Sequence, residues 1–74
     1  MALDRITFDQ DIMGGTACIR GMRVPVSVVL KLLAGGMTRE QILADYPYLE
    51  PEDLDQSIEY AAMLADEAVA PRVG

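Results

Sequence analysis

The stretch Pro25-Val26-Ser27-Val28-Val29-Leu30-Lys31-Leu32-Leu33-Ala34-Gly35-Gly36-Met37-Thr38-Arg39-Glu40-Gln41-Ile42-Leu43 decides the fold class of this 74-residue chain. Proline tolerates the first turn of a helix and pushes the residue before it into an extended conformation. Val26, Val29, Leu30 and Leu33 then recur at i, i+3, i+4 and i+7, which is one face of a helix. Gly35-Gly36 ends that helix, because a glycine can take the left-handed C′ position. Thr38 stands three residues before Gln41, the spacing of a capping box in which hydroxyl and amide each satisfy a backbone group. A second, short helix is predicted from about Arg39 to Tyr46, with Ile42, Leu43 and Tyr46 inward.

Toward the C-terminus, Pro47 ends the second helix and Pro51 opens a third at its first helical position. Glu52, Asp53 and Asp55 fall in its first turns, where the positive end of the helix dipole favours anions. Glu50 occupies the N-cap position, and glutamate caps poorly. Leu54, Ile58, Ala61 and Ala65 form an apolar stripe along a predicted helix from Pro51 to Ala68, with Ala62 and Leu64 at its edges. Toward the N-terminus, Arg5-Ile6-Thr7-Phe8 alternates apolar with polar, as a half-buried strand does. Asp9, Asp11 and Gly14-Gly15 interrupt it. Two more short extended runs follow, Ala17-Cys18-Ile19-Arg20 before Gly21 and Met22-Arg23-Val24 before Pro25. The chain is thus predicted to be one mainly α domain over 1–74. An extended or β segment over 1–24 precedes a tri-helical, homeodomain-like helix-turn-helix unit over 25–68, and a frayed tail follows over 69–74.

A core this small rarely supplies more than about 3–5 kcal/mol without a staple. With one cysteine, Cys18, and no histidine, neither an internal disulfide nor a Cys/His metal site can provide one. Self-association or a partner chain is the remaining expectation. The net charge of −6 is unevenly spread. Residues 1–39 carry Arg5, Arg20, Arg23, Lys31 and Arg39 against Asp4, Asp9 and Asp11. Residues 40–74 carry nine acids against Arg72 alone, so a weakly basic front meets a strongly acidic back. No apolar run reaches membrane-spanning length, and the N-terminal stretch lacks the basic flank and apolar run of a signal peptide, so a soluble, cytoplasmic protein is expected.

Catalysis has few residues to draw on, since Cys18 sits in an apolar run as a core filler and most carboxylates share one exposed helical face. Gly14-Gly15 lacks the lysine of a phosphate loop. No enzyme activity and no cofactor are expected. A tri-helical unit can place its last helix in the major groove, but here that helix opens with Glu50, Glu52, Asp53 and Asp55, which would face the phosphates. The basic residues lie elsewhere. Arg20 and Arg23 flank Gly21, where two readings stand: they clamp phosphates or read base edges, or an arginine pairs with an acid of the third helix and pins the strand to it.

The segment Gly14-Gly15-Thr16-Ala17-Cys18-Ile19-Arg20-Gly21-Met22-Arg23-Val24-Pro25-Val26, the leucine-rich helix, the glycine turn and Ile42-Leu43-Ala44-Asp45-Tyr46-Pro47 together resemble the domain-of-unknown-function family 433. The resemblance covers about residues 4–66. The sequence departs from the family pattern at Thr16, where lysine is common, at Ala17, where proline is usual, and at Met22, where threonine is usual. The resemblance implies a small, often dimeric helix-turn-helix protein of antitoxin type. Such a protein neutralises a cognate PIN-like nuclease toxin and binds operator DNA to repress its own operon. Combined with the charge split, it makes Arg20, Arg23, Lys31, Arg39 and Gln41 the expected nucleic-acid-binding residues. Glu52, Asp53, Asp55, Glu59 and Tyr60 are then the expected toxin-binding residues, and a homodimer is the expected assembly. The alternative is a homodimeric protein-interaction module that never touches DNA.

Overall fold

The computed structural model describes residues 3–68, so the tail expected over 69–74 lies outside the described residues. Two short strands, β1 (Ile6–Thr7) and β2 (Cys18–Ile19), pair antiparallel with Ile6 opposite Ile19 and Thr7 opposite Cys18. A single turn at Met13–Gly15 lies between them, and three helices follow: α1 (Val26–Ala34), α2 (Arg39–Asp45) and α3 (Pro51–Ala68). The extended run at Met22–Val24 forms no strand of its own. It folds back so that the Ile19 amide donates to the Val24 carbonyl at 2.9 Å, and Cys18 bridges Pro25.

The helix boundaries follow from local chemistry. At the end of α1 the Gly36 amide donates to the Leu33 carbonyl and the Met37 amide to the Leu32 carbonyl, each at 3.1 Å. These are the two bonds of a Schellman motif, and they require the left-handed φ of +99° that Gly36 adopts. The capping box that opens α2 is complete: the Gln41 amide donates to Thr38 Oγ1 at 3.1 Å, and the Thr38 amide donates to Gln41 Oε1 at 2.8 Å.

Ile6, Ile19, Val26, Val29, Ile42, Leu49 and Leu54 form the buried core, so every described element longer than one turn contributes to it. Burial of each such side chain stabilises by about 1.5–3 kcal/mol relative to exposure. α1 and α2 both pack on α3. The inward face of α3 differs from the apolar stripe expected from sequence. Leu54 is buried as expected, but Asp53 and Ser57 are buried beside it, while Ile58 is 45% exposed and Ala65 lies in solvent. The helix is rotated so that a carboxylate, not an isoleucine, faces the β segment. The physical reason lies in the charges that meet Asp53.

Candidate functional site

The turn Ile19-Arg20-Gly21-Met22 is closed by the Met22 amide donating to the Ile19 carbonyl at 2.8 Å. Its two central residues have φ of +46° and +71°, the pair of positive values that a type I′ turn demands. The Gly21 amide donates to Thr7 Oγ1 at 2.8 Å, which ties the turn to β1. Arg20 is thereby directed toward the start of α3. Its Nε and Nη2 donate to the two oxygens of Asp53 at 3.1 and 3.0 Å, a bidentate pairing, and Nη2 also reaches the Tyr48 carbonyl at 2.6 Å.

Arg5 approaches from just before β1. Its Nη1 donates to Asp53 Oδ1 at 3.0 Å and to Glu50 Oε1 at 2.6 Å, and its Nη2 to Glu52 Oε1 at 3.1 Å. The Arg5 backbone amide adds a bond to Gln56 Oε1 at 2.8 Å, and Gln56 in turn donates to Asp4. Asp53 is the third residue of α3, and it also accepts the Glu50 backbone amide at 2.8 Å. The helix start that looked poorly capped is therefore closed by the carboxylate at N3. Asp53 is fully buried, whereas the Arg5 and Arg20 side chains keep 21% and 34% of their surface exposed. Ser57, one turn on, is satisfied by donating to the Asp53 carbonyl at 2.7 Å.

Burial pushes the Asp53 carboxyl up, but hydrogen bonds from Arg20, the Glu50 backbone amide and Arg5 outweigh it and hold the group below the usual carboxylate range. Hydrogen bonding to Glu50 and then to Asp53 raises the Arg5 guanidinium further, and bonding to Asp53 raises that of Arg20. All three groups are charged near neutral pH, and Asp53 has no proton to exchange there. The cluster fastens the β segment to α3.

The residues expected to meet nucleic acid are dispersed. Arg20 is bound to Asp53, and Arg39 donates to Asp55 at 2.7 Å. The Gln41 side chain is held in the capping box. Arg23 and Lys31 are exposed and form no ion pair among the described residues. Of the residues expected to meet a toxin, Asp53 is buried and presents no surface. Glu52, Asp55 and Glu59 line an open groove of about 510 Å³ along α3, with Gln56 and Ile58. Tyr60 is half-buried against Phe8. Arg5 and Glu50 were missed in the sequence. Their only local signal was a glutamate in a capping position followed three residues later by an aspartate. Among the described residues no three His, Cys, Asp or Glu side chains are grouped to hold a metal ion, and no helix is long and apolar enough to cross a membrane.

The sequence profile of a family described as protein of unknown function (DUF433) matches residues 6–61. The uncharacterized protein y4eO of Sinorhizobium fredii (strain NBRC 101917 / NGR234) is 38% identical over 60 residues, which make up 81% of this chain and 27% of that protein. The chain thus spans only 27% of the length of that curated relative. The crystal structure of a DUF433 member protein from Anabaena variabilis ATCC 29413 aligns with a TM-score of 0.76 at 30% identity, covering 85% of this chain and 62% of that one.

Proposed function

The chain belongs to the DUF433 family, and from that premise we propose that it is an antitoxin-like module. In this proposal it docks and neutralises a basic partner of the PIN-like nuclease class and binds operator DNA to repress its own operon. The observation that supports the partner-binding half is the outer flank of α3. That helix carries six acids and no basic residue, and once Asp53 is withdrawn into the fold, Glu52, Asp55 and Glu59 still line the open groove. Glu52 and Asp55 stand in exposed surface pairs with Arg5 and Arg39, and Glu59 is in no ion pair among the described residues. A negatively charged groove of this kind repels nucleic acid and attracts a protein whose own substrate is a polyanion, with fast, salt-sensitive association.

Co-expression with the product of the neighbouring reading frame tests this half. A complex should form, weaken as salt is raised, and weaken further in the triple variant Glu52→Gln, Asp55→Asn, Glu59→Gln. The surface pairs lost with Arg5 and Arg39 contribute only about 0–1 kcal/mol each, so the variant should stay folded. Absence of a complex, or affinity indifferent both to salt and to the neutralised acids, would overturn the proposal.

A specific observation favours a second reading, a module that binds protein but not DNA. Arg20, Arg39 and Gln41 each have a partner within the chain, which leaves Arg23 and Lys31 as the exposed cations of the expected DNA face. A mobility shift on the fragment upstream of the gene distinguishes the two readings.

A further inference from the structure

Among the described residues, nothing covers the inner face of the distal part of α3. Ala62 through Asp66 are all exposed, yet Leu64 follows Ser57 by seven residues and Tyr60 by four, on the face that is buried or half-buried in the preceding turns. Leu64 is 46% exposed and Met63 44%. Phe8, at 61% the most exposed large apolar residue among those described, places its ring against Tyr60 with centroids 5.9 Å apart. Met63 and Leu64 stand three and four residues beyond Tyr60, the spacing at which helical side chains adjoin. Phe8, Tyr60, Met63 and Leu64 therefore make one patch across two parts of the chain. Singly scattered apolar residues need no explanation, but a contiguous patch with a charged rim marks an interaction surface.

The charged residues that adjoin the patch along the chain are all acids. Asp9 follows Phe8 in the chain, Glu59 and Asp66 flank the α3 residues, and none of the three forms an ion pair among the described residues. We propose that this patch seats an amphipathic helix of the partner protein, with apolar side chains along one face and Lys or Arg at its edges. The proposal rests on the binding-module reading above and deepens it by naming the contact surface and the element that fills it. The Tyr60–Leu64 row is the i, i+4 ridge that a second helix packs against, and the three rim acids require cations opposite them. A second copy of this chain fits less well, since a two-fold contact pairs the patch with itself and brings the acids of both copies to one interface with no cation opposite them.

Calorimetric titration of the full chain with the neighbouring reading frame's product, at fixed ionic strength, provides the test. Met63→Gln combined with Leu64→Gln should weaken binding about tenfold or more while the helical circular dichroism is kept, because core-of-interface truncations have effects of this size. Phe8→Ala alters the other part of the patch and should weaken binding in the same direction, independently of whether the double variant folds. Glu59→Lys with Asp66→Lys should weaken binding and flatten its salt dependence. Wild-type affinity in the folded Gln double variant or in Phe8→Ala would overturn the proposal and leave the binding-module reading intact. A dimer seen by light scattering and abolished by Met63→Gln, Leu64→Gln would overturn it in favour of self-association. No complex with the wild-type chain would remove the binding-module reading and this surface together.

Discussion

Asp53→Asn is expected to be the most damaging near-isosteric change in the chain. The variant keeps the shape of the side chain and one carbonyl oxygen able to accept the Glu50 amide. It removes the negative charge that Arg5 and Arg20 share. Removing one member of a buried ion pair generally costs about 3–5 kcal/mol. The lower end applies here, because the two arginine side chains retain 21% and 34% exposure and recover part of their hydration when released. A loss of about 3 kcal/mol in a domain of this size corresponds to a Tm lower by about 12–24 °C. That is comparable to the whole stability a core this small supplies. Thermal unfolding followed by circular dichroism at pH 7 measures the shift. Adding Arg20→Ala to the Asp53→Asn chain should then cost less than it does in the wild type, since the ion pair is already gone and only the bond to the Tyr48 carbonyl remains to be lost. A Tm reduced by less than about 4 °C, or an Arg20→Ala effect equally large in both backgrounds, would refute the assignment of Asp53 as the point where β segment and helix are joined.

Further outcomes follow from the same contacts. Because the folded Asp53 carboxyl lies below its unfolded value, its stabilisation is present above the ordinary carboxylate pKa of about 3.9 and is lost as pH falls from there through the lowered folded value. The acid limb of wild-type stability should be steeper than that of Asp53→Asn, and superimposable limbs would contradict the linkage. Thr38→Ala removes the acceptor that opens α2 and should cost about 0.5–2 kcal/mol, visible as a lower urea midpoint with an unchanged slope. An unaltered midpoint would mean that the capping box contributes nothing. If operator DNA is bound, Arg23→Gln with Lys31→Gln should reduce the log–log salt slope by about 2, at roughly 0.9 per phosphate contact. Arg20→Gln should chiefly lower the Tm, and the reverse pattern would return Arg20 to the DNA face.

Local features of the sequence were enough to place all three helices. Pro25 and Pro51, the glycine pair after Ala34 and the Thr38–Gln41 spacing act over fewer than five residues, and the structure starts α1, α2 and α3 where those signals stand. The β segment was legible in kind, but not in extent. Its pairing shrank to two residues per strand, because the turn at Arg20-Gly21 and the fold-back of Val24 onto Ile19 take up the remaining backbone groups. The candidate site was legible only in part. Residue type separated cations from anions correctly, and α3 does carry an acidic flank. Residue type alone does not distinguish an arginine that faces solvent from one that reaches a helix 33 positions later.

From sequence alone come the three helices, the class of fold, the family and the excess of acids on the last helix, since each depends on neighbours in the chain or on composition. Only the tertiary structure decided which charges remain available to a partner. Asp53 lies 48 residues from Arg5 and 33 from Arg20, and it is buried because both guanidiniums and the Glu50 amide together outweigh the cost of taking a carboxylate out of water. That convergence turns the inner face of α3, withdraws two arginines from the basic front, and leaves the Phe8, Tyr60, Met63 and Leu64 patch facing outward. None of these three consequences depends on residues adjacent in the chain.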